Sequence, residues 1–220
     1  MSKPARKIGI STRSYTGRVS NGGTSTAFES SLERDFLILL DFDREFESIC
    51  EQPVKIKYTH QGRSCSYIPD FLVDYRYGGT ILYEIKFRED LKRNWTDLRP
   101  RFKAAVAYCR KRGWHFKIMT EVEIRGVHLD NARFLRSYAS RPSQDALEEH
   151  VVRTLAILGR TTPEMLMLAA FEEKYHRMAA LSALWRLVAI GRVEACLDEP
   201  ISLQTPVWVV VGEGFAASGP

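Results

Sequence analysis

SYIPDFLVDYRYGGTILYEIKF, residues 66–87, is the stretch on which the fold turns. SYIPDFLVDY and TILYEIKF both read as strands, and Gly78-Gly79, inside Arg76–Thr80, predicts a hairpin between them. Side chains alternate faces along a strand, so Glu84 and Lys86 share one face while Ile85 points away. Ile81, Tyr83, Ile85 and Phe87 fill the opposite face. Asp70 follows Pro69 at the opening of the first strand, with thirteen residues between it and Glu84, and a tight hairpin sets the two carboxylates side by side.

Two carboxylates so placed repel each other unless a cation lies between them. A small set of oxygen ligands suits Mg²⁺ or Mn²⁺, which keep positions open for water and phosphate. Lys86 beside them is placed to orient an attacking water or to stabilise charge on a phosphoryl group. The pattern D…(E/Q)-x-K is that of restriction-type nucleases. It is short and loose, and the competing reading makes Glu84 and Lys86 an exposed cross-strand pair worth about 0.2–1 kcal/mol. Their position weighs against that, because charges that interrupt an apolar run such as ILYEIKF usually need a partner or a purpose.

Outward from this pair, VKIKY (54–58) reads as a further strand. Upstream, TAFESSLERDFLILLDFD has Phe28, Leu32, Phe36 and Leu39 at helical spacing, with Thr26 and Glu29 in capping-box order at its start. Glu29 and Glu33 share a helix face. With Glu29 assigned to the cap, Glu33 is a third candidate acid, its alternative being a solvated helix face. Downstream, the segment after Pro100, RFKAAVAYCRKRGW, reads as a helix ending at Gly113, HFKIMT as a strand and LDNARFLRSYAS as a short helix. This order predicts an α/β fold: a mixed sheet flanked by helices over residues 27–142, preceded by a basic flexible arm over 1–26.

At Arg141-Pro142-Ser143 the pattern changes. DALEEHVVRTLAIL, TPEMLMLAAF and KYHRMAALSALWRLVAIG read as helices, and RVEACL and PVWVVV as short strands. Three helices and a terminal hairpin are the order of a winged helix, so residues 143–220 are expected to form a small winged-helix-like α+β domain. Thr162-Pro163 is a strong start for its second helix. The third helix offers Lys174, Arg177 and Arg186 beside Glu172 and Glu173, which suits a protein partner better than DNA.

Charge supports the division. Residues 1–142 carry a balance of +9 and residues 143–220 one of −4. The basic part is the candidate nucleic-acid surface, with Arg88, Lys92, Arg93, Arg99, Arg101 and Lys103 suited to phosphate contacts. Trp95 among them is expected to pack in the core. The chain has no run of 18 apolar residues and no signal-type leader, and its four cysteines and five histidines show no metal-ligand spacing. Reduced thiols and a cytoplasmic, nucleoid-associated location are expected. No phosphate-binding nucleotide loop is present, so an ATP requirement would lie in another subunit.

From Arg6 to Tyr138 the chain resembles TnsA, the endonuclease subunit of heteromeric cut-and-paste transposases of the Tn7-like kind, including CRISPR-associated ones. The resemblance is carried by STRSYTGRV (11–19), ESSLERDFLILLDFD (29–43), Glu51-Gln52-Pro53, YIPDFLVDY (67–75), YEIKF (83–87) and TEVEIR (120–125). It implies a metal-dependent nuclease, with Mg²⁺ or Mn²⁺, that cuts the 5′ ends of a transposon. A TnsB-like transposase would cut and join the 3′ ends, and a TnsC-like AAA+ ATPase would contact the C-terminal domain. It further implies that Glu33 and Asp70 are metal ligands, that Glu84 stands where relatives carry Glu or Gln, and that Lys86 is the catalytic lysine. Gln52 lines the site by the same resemblance, without an assigned role. A stand-alone restriction or repair nuclease and a non-catalytic adaptor bridging DNA and an ATPase remain the alternatives.

Overall fold

The computed structural model describes residues 17–21, 24–28 and 30–209, with side chains from residue 30 onward. The chain divides into two units, Met1–Gly126 and Val127–Pro220.

The first unit opens with β1 (Gly17–Asn21) and β2 (Thr24–Phe28), an antiparallel pair with Asn21 opposite Thr24. The arm expected over residues 1–26 thus includes paired strands, and residues 1–16 lie outside the described residues. Helix α1 (Ser31–Asp41) follows. Thr26 lies in β2, so the cap is not the expected Thr26–Glu29 pair. It is Ser30, whose hydroxyl accepts from the Glu33 N–H at 3.1 Å and donates to Glu33 Oε1 at 3.1 Å. Four residues separate the two solutions, and the one used leaves Thr26 free for strand pairing.

Next come β3 (Phe46–Glu51), β4 (Ile56–His60), β5 (Arg63–Tyr67), β6 (Phe71–Tyr75) and β7 (Gly79–Ile85). The helices α2 (Arg88–Arg93) and α3 (Trp95–Arg110), then β8 (His115–Met119) and α4 (Glu121–Ile124), complete the unit. The main sheet has the order β3-β6-β7-β8, antiparallel except for the parallel β7–β8 pair, while β4 and β5 form a separate ribbon. This is the mixed sheet expected. The β6–β7 hairpin sets Tyr75 opposite Gly79, whose φ of 74° is open to glycine at little cost.

Alternation along β6 and β7 distributes the core as the sequence predicts. Phe71, Val73, Tyr83 and Ile85 pack with Leu32, Phe36, Leu37 and Leu40 of α1. On the other face Leu82 packs with Leu98, Phe102 and Ala105 of α3. The sheet is therefore covered by α1 on one side and α3 on the other. Asp35, fully buried in α1, pairs with Arg34 at 3.1 Å and Arg125 at 2.9 Å, tying α1 to the end of α4. Several elements differ from expectation: SYIPDFLVDY, read as one strand, ends β5 at Tyr67 and resumes as β6 at Phe71, and α2 was not foreseen. Strand β3 was not foreseen, because a bulge between Phe46 and Ser48 breaks the alternation that would reveal it. Helix α3 starts at Trp95, ahead of Pro100, which sits inside it at the cost of one backbone hydrogen bond.

The second unit contains α5 (Val127–Ala139), α6 (Asp145–Leu158), α7 (Pro163–Ala170), α8 (Lys174–Ala189), β9 (Val193–Ala195) and β10 (Val207–Val209). The strands β9 and β10 pair antiparallel, and Thr161 bridges Val207. Thr162 caps α7 by accepting from the Met165 N–H, with Pro163 at the first helical position. The division falls at Gly126, earlier than the expected boundary near residue 142. Helix α5, read with the nuclease domain, belongs to this unit: Phe134 meets Trp185 of α8 edge-on at 5.7 Å. Buried Asn131 also binds Leu197 O, Glu199 O and the Ile201 N–H. Both arginines of α8 are engaged within the unit, Arg177 with Phe171 O and Glu172 O and Arg186 with Glu148.

Candidate active site

The β6–β7 hairpin brings the carboxylates together at its open end. Phe71 is opposite Tyr83, and just beyond that pair the Asp70 N–H donates to Tyr83 O at 3.1 Å. The Ile85 N–H donates to Asp70 Oδ2 at 2.7 Å, and the Gln52 N–H to Asp70 O at 2.7 Å. Backbone groups on both sides therefore hold Asp70 in place. Gln52 is buried with φ at 45°, a conformation that few non-glycine residues adopt, and this lets its N–H reach Asp70.

Glu84 is 2% exposed. It lies on the sheet face of Leu82, toward α3, as the alternation predicts. The Tyr67 hydroxyl donates to its Oε2 at 2.6 Å, and Lys86 Nζ is 3.6 Å from its Oε1. Lys86 is about one-third exposed, and its N–H is anchored by Met119 O across the parallel β7–β8 pair. An exposed surface pair is ruled out for Glu84, since one partner is buried and two neighbours are committed to it.

Asp70 is pushed well above the ordinary carboxylate range, first by burial and then by the charges of Glu84 and Glu33. The Ile85 N–H and the Lys86 charge act in the opposite direction without cancelling this. Glu33, half-buried at the third position of α1, thus acts electrostatically on Asp70 as well as closing the Ser30 cap. The sequence reading gave it no structural task, and the structure shows one. Like charges concentrated on one partly buried carboxyl are a recurrent signature of functional sites.

The donor set fits a hard divalent cation. It consists of carboxylate oxygens, with a lysine alongside and no thiolate or imidazole. Among the described residues no group of three His, Cys, Asp or Glu side chains is arranged to cage an ion. Mg²⁺ is ordinarily bound through one or two carboxylates completed by water and phosphate, so a pair such as Asp70 and Glu84 would be compatible with it.

Sequence reasoning missed Tyr67, although it opens the quoted motif YIPDFLVDY. Burial and the neighbouring Glu84 charge push its phenol far up, so it stays a donor throughout the usable pH range. The Arg101 guanidinium lies 5.9 Å from its ring centre. Of the basic cluster, Arg88, Lys92 and Arg93 are exposed on α2. Arg99 and Lys103 line an open groove of about 710 Å³ between α3 and β8, with Trp95, Phe102 and Phe116 in its floor. Arg101 is two residues from both Arg99 and Lys103, hence on another flank of the helix, toward the carboxylates. The cluster therefore serves two surfaces. Trp95, expected in the core, is 49% exposed and packs against Phe102 only at 6.2 Å.

A mixed four-stranded sheet between helices, with an aspartate, a glutamate and a lysine gathered at one end of its central hairpin, gives the first unit a fold consistent with the restriction-endonuclease-like class. Residues 43–121 match the family described as TnsA-like endonuclease N terminal, a similarity consistent with TnsA of Tn7-like transposases. None of the curated proteins compared with the chain matches it. Among the described residues no helix is long and apolar enough to cross a membrane.

Proposed function

We propose that the chain is a Mg²⁺- or Mn²⁺-dependent DNA endonuclease subunit that cuts the 5′ ends of a transposon during cut-and-paste transposition. The observation that carries this reading is the meeting of Asp70, Glu84 and Lys86 at the end of the β6–β7 hairpin, inside a TnsA-like endonuclease domain. Asp70 and Glu84 would hold the cation, with Glu33 as a third acid on the Asp70 side. When bound, the cation supplies Lewis-acid polarisation of a phosphoryl oxygen and a lowered pKa for attacking water.

The protein's own groups do the rest. The backbone N–H of Ile85 keeps Asp70 Oδ2 fixed, so the carboxylate is oriented before substrate arrives. Lys86 Nζ, next to Glu84 and partly open to solvent, is placed to hold water or to stabilise charge developing on the phosphate. Exposed Arg88, Lys92 and Arg93, directly after the E-x-K strand, suit the flanking phosphates of donor DNA.

The second unit is read as a winged-helix-like partner-binding module. Its helices followed by a β9–β10 hairpin, with Thr161 bridging β10 between α6 and α7, support that reading. The engagement of Arg177 and Arg186 within the unit, together with its acidic balance, favours a protein partner over DNA. A TnsC-like ATPase on this unit and a TnsB-like transposase for the 3′ ends complete the proposed assembly.

The test is reconstituted excision with partner transposase and regulator, mapping donor 5′ and 3′ ends for wild type and Asp70→Ala. Loss of 5′ cuts with 3′ joining retained is expected. Unchanged 5′ cutting would remove the catalytic assignment and put the adaptor reading in its place.

A further inference from the structure

We infer that Tyr67 is a positioning residue that sets which divalent cation the site prefers, by committing one oxygen of Glu84. This rests on the proposed metal-binding role of Asp70 and Glu84. Tyr67 is itself 5% exposed and is held at the end of β5, its ring edge-on to Phe102 of α3 at 6.2 Å. A phenol fixed in this way has little freedom to turn, and its hydroxyl donates to Glu84 Oε2 at 2.6 Å. Glu84 is itself buried, at 2% exposure. Oε1, which faces Lys86 Nζ at 3.6 Å without a hydrogen bond from Tyr67, is therefore the oxygen favoured for anything bound at the hairpin end.

Asp70 is restricted in the same manner, because its Oδ2 accepts from the Ile85 N–H. Each carboxylate thus has one oxygen that accepts a short hydrogen bond from the protein. Mg²⁺ demands a small, near-octahedral shell and accepts single oxygens from each carboxylate. Ca²⁺ takes six to eight ligands in flexible geometry and readily uses both oxygens of one carboxylate. A site that holds back one oxygen of Glu84 discriminates against the larger ion. Removing the Tyr67 hydroxyl releases Oε2 and relaxes that discrimination. The neighbouring pair of Tyr75 and Tyr83 hydroxyls, 2.9 Å apart, offers a matched control on residues that pack with the α1 side of the sheet.

The experiment measures Mg²⁺ and Ca²⁺ affinities of the full chain by calorimetry, together with displacement of Mn²⁺ followed by electron paramagnetic resonance. Wild type, Tyr67→Phe and Tyr75→Phe are compared, each checked for a native thermal transition. In Tyr67→Phe the ratio of Ca²⁺ to Mg²⁺ affinity is expected to rise, by no more than the roughly 10-fold by which losing a partner behind a metal ligand changes affinity. Tyr75→Phe is expected to leave it unchanged. Equal change of both affinities, no change, or a shift toward Mg²⁺ in Tyr67→Phe overturns the inference. The same shift in Tyr75→Phe also overturns it. Absence of any metal binding by wild type is a separate result, which overturns the metal reading of Asp70 and Glu84 and this inference with it.

Discussion

Two buried glutamates, one in each unit, show how differently a protein can treat the same side chain. Glu148 in α6 is 1% exposed and meets Arg186 through both oxygens at 2.8 and 3.0 Å, with Arg192 at 3.8 Å. Ser143 Oγ and the Gln144 N–H complete its surroundings. Every lone pair has a donor and the negative charge faces guanidinium groups, the arrangement that makes a buried carboxylate tolerable. Glu84 is equally hidden, yet its partners are a neutral phenol and an ammonium at 3.6 Å, and a second carboxylate lies close enough to be pushed up by it. The first glutamate is finished within the chain. The second is part of a site in which Asp70, Glu84 and Glu33 outnumber the one lysine, and the proposed cation would supply the missing positive charge.

The comparison can be broken most directly at Asp70. Asp70→Asn keeps the shape and removes the charge, so 5′ cutting in the reconstituted reaction is expected to fall by at least about 100-fold. The same variant should be more stable than wild type when no divalent ion is present, as read by thermal melting. The sign follows from linkage. The folded-state pKa of Asp70 is raised, so the folded chain holds a proton that the unfolded chain has released. Wild-type stability therefore falls as pH rises from the ordinary aspartate pKa through the raised one, and stays lower above it. Asp70→Asn should lack this decline, and added Mg²⁺ should raise the melting temperature of wild type but not of the variant. A wild-type melting curve without this pH decline would show that the site is not short of positive charge.

Glu148→Ala attacks the other side of the comparison. It leaves Arg186, mostly buried, without its counter-charge, and a loss of about 3 kcal/mol in unfolding free energy is expected from denaturant titration. A loss comparable to that of an exposed pair would mean that the network contributes little. Ser30→Ala should be milder, about 1 kcal/mol for an N-cap, read from the same titration. Because the cap also engages Glu33, this variant further tests whether that acid needs its anchor for cutting. The smallest effect is expected from Arg93→Ala. Its bond to Glu89 is short at 2.7 Å, but both side chains are well exposed, and such pairs contribute about 0–1 kcal/mol. If Arg93 contacts DNA phosphates, the change should instead weaken DNA binding and reduce its salt dependence.

Much of the first unit was legible because its signals are local. Alternation in residues 66–87 assigns Glu84 and Lys86 to one face and Tyr83 and Ile85 to the other, and the Gly78-Gly79 turn sets Asp70 near Glu84. All of that appears in the structure. Where a local signal was interrupted, the reading failed. The bulge hid β3, Pro100 seemed to open a helix that already ran through it, and two nearby capping solutions competed for α1. The division of the chain was also misplaced, since the Pro142 breaker marks only the end of α5, whereas packing of Phe134 on Trp185 decides which unit α5 joins.

The sequence by itself determined the hairpin between β6 and β7, the pairing of an acid with an E-x-K strand, and the charge difference between the two parts of the chain. These depend on residue type and spacing along a few consecutive residues. Only the tertiary structure decided that Tyr67 holds Glu84, that Gln52 holds the backbone of Asp70, that Glu33 acts on Asp70 while closing a helix cap, and that Trp95 stands half in solvent. Each of these is a contact between segments distant in sequence or a matter of which face of a helix is covered. No periodicity records such contacts, because they arise only when separately specified elements pack against one another.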